Sequence, residues 1–477
     1  MPVPILSVEQ MRQWERATWA TGRTEAAVIR QVGERVAARA RQMTRAGDRV
    51  LLLAGKGHNG DDARQAQPHL ADRVVELLNV SDPAAELDRL QIHLDRKPAL
   101  VVDGLFGIGL NRPLNEAWTR FIATVEQAGC PVLSVDVPSG LDADTGETHG
   151  AALRAAITLT LAAPKPGLLR AAGWPFVGRL EVASDIGLIP CPVAGSRQWT
   201  LPGDFAGFPP ARRVEAHKGS FGHLLIVAGS LGYHGAAVLA ARGAERAKPG
   251  LITLVTPEEV YGPVAAQLQS VMVHPWRTGL ELPPTASAIL IGPGLAARQL
   301  PADLRETAVG WWRESRLPVI VDASALDWLP AETPPDALRV LTPHPGEAGR
   351  MLERPGAAVQ ADRFGALADL ARRWSGCRVV LKGHQTLVGD RDGVFVNCSG
   401  NPYLAQGGSG DVLAGYLGGL LAQPALQADP MTTLRYGVWQ HGAAADALQQ
   451  TRGGWTMEDL VGGLGTQLPG NVTSARS

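Results

Sequence analysis

The sequence predicts an α/β protein built from two domains. Short apolar, β-branched runs alternate with helical patterns in both halves of the chain, an order typical of parallel sheets covered by helices. The alternation breaks between Pro190 and Arg213, where five prolines interrupt a stretch with little periodicity. A chain of 477 residues is also too long for one ordinary core. We therefore expect domains over residues 1–195 and 212–477, joined by a proline-rich linker over 196–211.

Each half contains a series of predicted strands separated by helical crossover segments. The strands predicted in the first half are Val50–Ala54, Val74–Val80, Ala99–Asp103, Pro131–Asp136, Ala156–Leu161 and Arg179–Ala183. Those predicted in the second half include His223–Ala228, Leu251–Thr256, Ala288–Gly292, Pro318–Asp322, Arg378–Leu381 and Gly393–Asn397. Two of the crossover helices are predicted over Asn115–Gly129 and Asp362–Ser375.

Composition excludes several classes of protein. The net charge of −1 leaves no broad basic field that could hold nucleic acid. The four cysteines lie far apart without a CxxC pair, which argues against a disulfide scaffold or zinc ribbon and fits a reducing cytosol. No apolar run reaches the length of a membrane span, and the first residues lack the apolar core of a signal peptide. We expect a cytoplasmic protein with small-molecule partners and no nucleic-acid or membrane partner.

The most informative segment is Asn397–Gly415, which has four glycines from Gly400 to Gly410, the last of them followed at once by Asp411. Glycine N–H groups can converge on one anion because no Cβ blocks the approach, and the N-terminus of a following helix adds to the attraction. A carboxylate beside such an anion site suits a general base that takes a proton from an attacking hydroxyl. The alternative is a glycine-rich turn in which Asp411 caps the helix.

Four further motifs of the second half place turns directly after strands. They are Ala216–Ala237, Ala288–Leu295, Val340–Ala348 and Val379–Val388. Because ligands bind beyond the carboxyl ends of strands in open α/β sheets, these turns can line one crevice. Lys382 could hold a nucleotide phosphate as a point charge, or could be a solvated loop lysine. His344 lies between two prolines and, considered alone, is more simply a loop residue than a ligand.

Together these motifs resemble the ADP/ATP-dependent NAD(P)H-hydrate dehydratase family, a branch of the ribokinase-like superfamily. The segments HKGSFG, GS-x-GYHGAA, IGPGL, TPHPGE, LKG-x-x-T and GN-x-x-LA-x-GGSGDVLAG stand in the family's order. The resemblance implies a ribokinase-like α/β domain that uses ADP or ATP to phosphorylate the C6 hydroxyl of a hydrated nicotinamide ring. Phosphate then leaves, and NADH or NADPH is restored.

The resemblance also implies residue roles. Asp411 would be the catalytic base and would contact the hydrated cofactor together with Ala236, Gly294 and His344. The residues implied to bind the nucleotide are Lys382, Gly383, His384, Gln385, Thr386 and Gly410. Phosphoryl transfer implies Mg2+, whose ligands the sequence does not name. A departure from the family pattern, Lys248-Pro249-Gly250, could alter a loop but removes no catalytic group.

The first half contains three comparable turns, at Leu51–Ala66, Val101–Leu114 and Val132–Gly146. The first is a strand, a glycine-rich turn and a helix, which could cradle phosphate. The other two place Asp103 and Asp136 at strand ends. Each aspartate alone could be a structural cap, but three polar strand ends that converge are better explained by a site.

These segments, with the opening LSVEQMRQWERA, resemble the NAD(P)H-hydrate epimerase family, which interconverts the R and S hydrates. The resemblance implies a Rossmann-like three-layer α/β/α domain. We also expect a homo-oligomer. It implies a potassium (K+) site at Asn59, Asp103 and Ser139, whose oxygens suit a hard cation, and Asp136 as the proton-handling group. The implied substrate contacts are His58, Asn59, Gly60, Asp61, Asp62, Gly107, Ile108, Gly109, Leu110, Asn111, Arg112, Pro113 and Asp136.

The His58–Ala63 loop departs from the family pattern Asn-Asn-Gly-Gly-Asp-Gly. Asp61 replaces a glycine and adds negative charge beside an anionic ligand, so affinity should fall if its carboxylate points inward and activity can survive if it points to solvent. Two alternatives remain at this stage. The second half could be a ribokinase-like kinase for a vitamin precursor, and the first half could be an inactive epimerase-like binding module.

Overall fold

The computed structural model describes residues 2–334, 336–374 and 376–469. Contacts divide the chain into two compact units, Pro2–Trp199 and a second unit that begins at Thr200. This division falls inside the segment 196–211 that the prolines mark. The outer ends of the expected domains, Met1 and residues 470–477, and the last residue of the helix predicted to end at Ser375 lie outside the described residues.

The first unit is a three-layer α/β/α structure. Its helices are α1 (Val8–Trp19), α2 (Glu25–Met43), α3 (His58–Ala66), α4 (Leu87–Asp95), α5 (Glu116–Gln127) and the short α6 (Trp174–Val177). Its strands are β1 (Val3–Pro4), β2 (Arg49–Ala54), β3 (Val74–Asn79), β4 (Leu100–Gly104), β5 (Val132–Val135), β6 (Ile157–Leu161), β7 (Arg179–Ala183) and β8 (Arg197–Trp199). The central sheet is parallel, in the order β3-β2-β4-β5-β6-β7.

Alternate residues of β2 enter two separate cores. Val50 and Leu52 pack with α1 and α2 on one face of the sheet. Leu51 and Leu53 pack with α4 and α5 on the other face. A parallel strand buried on both faces is therefore apolar at almost every position, and this is why the sequence predicted it. All six strands predicted in this half are confirmed, with ends that differ by at most one residue.

The second unit continues the alternation of strands and helices. Its strands are β9 (His223–Val227), β10 (Leu251–Thr256), β11 (Met272–Pro275), β12 (Ala288–Ile291), β13 (Val319–Val321), β14 (Arg339–Leu341), β15 (Arg378–Leu381), β16 (Leu387–Gly389) and β17 (Val394–Val396). Its helices are α7 (His234–Ala247), α8 (Glu258–Ala265), α9 (Ala302–Glu314), α10 (Pro345–Met351), α11 (Gly356–Ala361), α12 (Arg363–Arg373), α13 (Ser409–Leu421), α14 (Pro424–Gln427), α15 (Pro430–Thr451) and α16 (Met457–Gly463).

These strands lie in the order β17-β16-β15-β14-β13-β12-β9-β10-β11. The pairs from β15 to β11 are parallel, whereas β15, β16 and β17 are joined as antiparallel neighbours. The predicted strands of this half are confirmed. The sequence did not predict β11, which is a partly exposed edge strand that ends in proline, or the short β16 (Leu387–Gly389). None of the described helices combines the length and apolarity needed to cross a membrane.

Helix α13 lies in the core of the second unit. Eleven of its thirteen residues are buried, the burial expected of a helix that is apolar on all sides. It packs against α7 at glycine contacts: a Cβ on Gly415 would lie 1.9 Å from the Ala240 carbonyl oxygen, and a Cβ on Gly243 would lie 2.3 Å from that of Val412. This close packing fixes the position of the helix and of Asp411 in its first turn.

Replacing Gly415 by alanine should therefore destabilise the second unit. The added Cβ must push α7 away from α13, and such overpacking costs about 1–3 kcal/mol. We expect the thermal midpoint of this unit to fall by roughly 2–4 °C for each kcal/mol lost.

Gly310→Ala in α9 is the matched control, because a Cβ there meets no atom within 4 Å. It should leave the midpoint unchanged or raise it slightly, since alanine has the higher helix propensity. Equal midpoints for Gly415→Ala and the unmodified protein would contradict the tight α7–α13 contact.

Candidate functional site

Polar side chains of the second unit meet where three neighbouring parallel strands end. Asp322 follows β13, Glu347 lies in α10 after β14, and Lys382 follows β15. The Lys382 ammonium lies 2.6 Å from an oxygen of Asp322 and 3.7 Å from one of Glu347. A Cβ on Gly410 would lie 3.3 Å from the same ammonium, so the N-terminus of α13 borders this cluster.

Lys382 is a buried ion-pair partner, so its interpretation as a solvated loop lysine is wrong. Its side chain is only 16% exposed. Burial acts to lower its pKa, but the charges of Asp322 and Glu347 outweigh that effect and raise the pKa above its usual value. The ammonium therefore stays charged, as a phosphate-binding group must.

Asp411 occupies the third position of α13. Gly408 is the N-cap, with a φ of +93° and no side-chain capping hydrogen bond, so the alternative in which Asp411 caps the helix is wrong. Burial and the negative charge of Asp322 raise the pKa of Asp411 to about 7, while Lys382 opposes the rise. A carboxyl group that titrates near neutral pH can both accept and release a proton under working conditions.

The structure also locates the three residues expected to contact the hydrated cofactor. Ala236 and Gly294 lie together, because a Cβ on Gly294 would be 2.8 Å from that of Ala236. His344 is the N-cap of α10. Its ring nitrogen Nδ1 accepts from the Gly346 backbone N–H at 3.0 Å, and its backbone N–H donates to the Glu347 carboxylate at 2.7 Å. Its side chain is half exposed. His344 is thus linked to the Lys382 cluster through Glu347.

The expected nucleotide-binding residues form the loop Lys382–Thr386 between β15 and β16. Gly383 has a φ of +127° and Gln385 a φ of +51°. The Thr386 hydroxyl donates to the Gly383 carbonyl at 2.9 Å. Burial and the charge of Arg363 lower the pKa of His384, so this loop presents a neutral ring beside the charged Lys382.

Sequence reasoning assigned no role to Asp322 or Glu347. Asp322 is almost fully buried and also accepts the Thr342 hydroxyl at 2.7 Å. The signal for it was its position at the end of a predicted strand, the same signal that drew attention to Asp103 and Asp136. Glu347 stands in the TPHPGE motif, in which the family resemblance implies a role for His344 only.

A separate cavity of about 960 Å³ opens in the first unit. The expected substrate contacts that line it are His58, Asn59, Asp62, Gly107, Ile108, Gly109, Leu110, Asn111, Arg112, Pro113 and Asp136. The lining residues that the sequence did not single out include Arg12, Glu15 and Trp19 of α1, Glu25 of α2 and Lys165. The predicted loops are therefore brought together, and two N-terminal helices complete the wall.

Asp136 is held by a fully buried lysine. Its Oδ1 accepts from the Leu161 N–H at 3.0 Å, from the Thr160 hydroxyl at 3.2 Å and from the Lys165 ammonium. Lys165 also donates to the Leu161 carbonyl at 3.0 Å. Asp136 has a φ of +67°, an uncommon backbone state for a residue other than glycine, of the kind that concentrates at functional sites.

The residues expected to bind potassium form one cluster. Ser139 donates to Asp103 through its hydroxyl at 2.5 Å and its N–H at 2.9 Å. Asn59 donates to the Phe106 carbonyl at 2.9 Å, and the Phe106 N–H donates to the Ser139 hydroxyl at 2.9 Å. The buried Oδ1 of Asn59 has no hydrogen-bond partner among the described residues. An orphaned amide oxygen among hydroxyl and carboxylate oxygens fits a hard monovalent cation.

The altered His58–Ala63 loop directs its two carboxylates differently. Asp61 forms an ion pair with Arg64 at 2.7 Å and does not line the cavity. Gly60 is likewise absent from the lining, because its backbone packs against Gly55. Asp62 is buried in the wall, and desolvation together with the charge of Asp136 raises its pKa well above the usual value. The expected contacts at Gly60 and Asp61 are therefore not part of the described cavity wall.

Comparisons with known proteins agree with this division into two sites. The family model for NAD(P)H-hydrate dehydratase matches residues 224–461, and a family model described as YjeF-related protein N-terminus matches residues 74–167. A bifunctional NAD(P)H-hydrate repair enzyme of Gloeobacter violaceus is 38% identical over 504 residues, which covers 96% of this chain and 97% of that enzyme. The chain belongs to the bifunctional NAD(P)H-hydrate repair enzyme family. Both resemblances noted in the sequence are thereby confirmed.

Two further relatives support the family assignment. The bifunctional NAD(P)H-hydrate repair enzyme of Escherichia coli is 33% identical over 424 residues, covering 83% of this chain and 80% of that enzyme. A crystal structure of the ADP/ATP-dependent NAD(P)H-hydrate dehydratase of Bacillus subtilis, co-crystallised with ATP and Mg2+, matches with a TM-score of 0.50 and 32% identity. It covers 56% of this chain and 95% of the Bacillus chain.

The raised pKa of Asp411 predicts a pH-dependent gain in stability for Asp411→Asn. The folded-state pKa of about 7 lies above the usual 3.8, so the folded protein binds this proton more tightly than the unfolded chain. Stability is therefore lost as pH rises from 3.8 to about 7. The asparagine variant does not ionise, so the difference between its thermal midpoint and that of the unmodified protein should grow as pH rises from 3.8 to about 7 and then level off.

Asp392→Asn serves as the control, because Asp392 is 80% exposed and its midpoint difference should stay flat with pH. A difference that is equally flat for Asp411→Asn would mean that Asp411 is not destabilised by its surroundings.

Proposed function

We propose that this chain repairs hydrated NADH and NADPH in two steps, one at each site. The first unit interconverts the R and S hydrates. The second unit uses ADP or ATP to dehydrate the S hydrate to NAD(P)H, with release of AMP or ADP and phosphate. The observation that carries the second step is Asp411, a carboxyl group with a pKa of about 7, beside the charged Lys382 and the open end of a buried helix.

In the second unit, the Asp411 carboxylate takes the proton of the C6 hydroxyl as that oxygen attacks the terminal phosphoryl group. The Ser409 N–H donates to the Gln406 carbonyl at 3.3 Å, whereas the N–H groups of Gly410 and Asp411 in the same first turn have no intrahelical acceptors and would face the anion. Lys382 supplies a positive charge at the same place. Ala236 and Gly294 leave room for the hydrated ring because neither has a bulky side chain, and His344 borders it. The C6–O bond to phosphate then breaks and a proton is lost from the neighbouring C5, so that the C5=C6 double bond of NAD(P)H is restored.

Mg2+ would neutralise charge on the transferring phosphates. The described residues contain no group of three or more histidine, cysteine, aspartate or glutamate side chains able to hold a metal ion. Mg2+ characteristically keeps several waters and binds through substrate phosphates with one or two carboxylates. We therefore propose that it arrives with the nucleotide and that Asp322 and Glu347 would be the carboxylates available to hold it.

In the first unit, Asp136 is proposed to move the proton that epimerisation requires. Its Oδ1 is engaged by Lys165, Thr160 and the Leu161 N–H, which fixes the carboxylate at the cavity wall. K+ held by Asn59, Asp103 and Ser139 would supply fixed positive charge near an anionic substrate. Because Asp61 is paired with Arg64, its negative charge is partly offset, which favours a working epimerase over a binding module.

The two activities are proposed to belong to separate domains of one cytoplasmic protein. We assign epimerisation to residues 1–195 and dehydration to 212–477, place the enzyme in the cytoplasm and expect a homo-oligomer, which light scattering of the purified protein would test. The family match over both units favours hydrate repair over the vitamin-kinase alternative. The compound that causes nucleotide consumption distinguishes the two: only a hydrate should do so.

Asp411→Ala should lower dehydratase turnover by about 10²–10⁴-fold, the range for loss of a general base. The assay is recovery of reduced-nicotinamide absorbance from the purified S hydrate with ADP. The thermal midpoint shows that the variant is folded, and Asp392→Ala is the control for loss of an exposed carboxylate. Turnover near that of the unmodified enzyme would remove Asp411 from its role as base.

Asp136→Asn should abolish enzymatic epimerisation and leave dehydration of the S hydrate unchanged. With a mixture of both hydrates and ADP, the unmodified enzyme recovers all of the absorbance. The variant should stop near the S fraction, after correction for slow spontaneous epimerisation. Asparagine suits the test because it tolerates a positive φ.

The substitution leaves Lys165 buried without its carboxylate, which can cost about 3–5 kcal/mol. The double variant Asp136→Asn, Lys165→Met removes both charges and separates chemistry from stability. Complete recovery by a folded double variant would exclude Asp136 as the proton-handling group.

A further inference from the structure

A buried arginine outside the family's expected site residues contacts the nucleotide loop. Arg363 is the first residue of α12 and is 6% exposed. Its Nη2 donates to the carbonyls of Leu381 at 3.0 Å and Lys382 at 3.4 Å. Its Nη1 donates to the carbonyls of His384 and, at 3.4 Å, Gln385. One guanidinium group thus binds four carbonyls within five consecutive residues.

These hydrogen bonds fix the direction of the peptide groups in the loop. In a trans peptide, the carbonyl oxygen and the following N–H point in opposite directions. Because the carbonyls of Lys382, His384 and Gln385 point toward Arg363, the N–H groups of Gly383, Gln385 and Thr386 point away from it. Successive N–H groups on one side of a loop form an anion-binding concavity.

The backbone of the loop requires such support. Gln385 has a φ of +51°, a state that is uncommon for a residue with a side chain and persists only where neighbouring groups enforce it. Arg363 binds the carbonyls on both sides of this residue, those of His384 and Gln385. Burial lowers the pKa of Arg363 only to about 10, so it also keeps a positive charge beneath the loop at neutral pH.

We infer that Arg363 is a positioning residue for the nucleotide: it turns the loop carbonyls inward so that the N–H groups of Gly383, Gln385 and Thr386 face the phosphates of ADP or ATP. Lys382 then neutralises the charge of the phosphates, and the loop backbone that Arg363 holds in place fixes the orientation of those phosphates. This inference rests on the proposed nucleotide-dependent dehydration. Arg363 would act through the loop carbonyls that it binds, without itself contacting the nucleotide or the reacting hydroxyl.

Arg339 offers a matched control in the same unit. It is fully buried, and its pKa is also lowered to about 10 by burial. It donates to the carbonyls of Trp312 at 2.8 Å and Leu317 at 3.0 Å. Arg339 is the first residue of β14. It therefore lies at the amino-terminal ends of the parallel strands, whereas the site lies at their carboxyl ends. Loss of its guanidinium should affect stability alone.

The test compares Arg363→Lys with Arg339→Lys in the full-length enzyme. Lysine keeps the charge but cannot span four carbonyls. We expect the KM for ADP to rise by about 10–100-fold in Arg363→Lys, the effect of losing one or two charged hydrogen bonds, with kcat on the S hydrate within about threefold. Arg339→Lys should lower the thermal midpoint and leave the KM for ADP unchanged. Equal KM values for the two variants would overturn the inference.

Hydrogen exchange on the unmodified enzyme provides a second measurement that does not depend on folding of a variant. Addition of ADP should slow exchange at Gly383, Gln385 and Thr386. If ADP binds without slowing these amides, the inference fails while the proposed function stands. If the enzyme neither binds nor consumes ADP or ATP in the presence of hydrate, the proposed function itself fails.

Discussion

The ion pair between Lys382 and Asp322 is the interaction on which the second site depends. Three carboxylates meet there in a partly desolvated space, where like charges repel strongly. The Lys382 ammonium pairs with Asp322, lies near Glu347 and borders the first turn of α13. With that positive charge in place, Asp411 retains a pKa of about 7. Stability and reactivity are therefore set by the same few charges, as is common in active sites.

The first unit uses a similar arrangement around a different cavity. Asp136 follows a central strand, as Asp322 does, and pairs with Lys165, which is fully buried. In both units the lysine follows a strand other than that of its aspartate. Parallel strands direct their carboxyl ends to one edge of the sheet, so polar groups placed after different strands converge there. Each α/β unit thus contains the same arrangement, an aspartate at the end of one strand paired with a buried lysine that follows another strand. This arrangement can support two different reactions.

Much of the fold was predictable because central strands of parallel sheets are buried on both faces. Their apolar runs stand out in the sequence, whereas the partly exposed edge strand β11 does not. Glycine-rich turns marked the positions of Asp411 and Asp136. Asp322, Lys165 and Arg363 were not assigned roles, because each acts through contacts with segments remote in sequence. Asp322 and Lys382, for example, are separated by 60 residues.

The sequence by itself determined the α/β class, the glycine turns and the family to which both halves belong. These properties are encoded in short windows, through periodicity, backbone freedom and motif order. Only the tertiary structure decided that Asp61 pairs with Arg64, that Asp62 is buried and that Asp411 titrates near neutral pH. The reason is that desolvation and the charges of distant segments determine where a carboxylate points and when it ionises, and neither exists until the chain has folded.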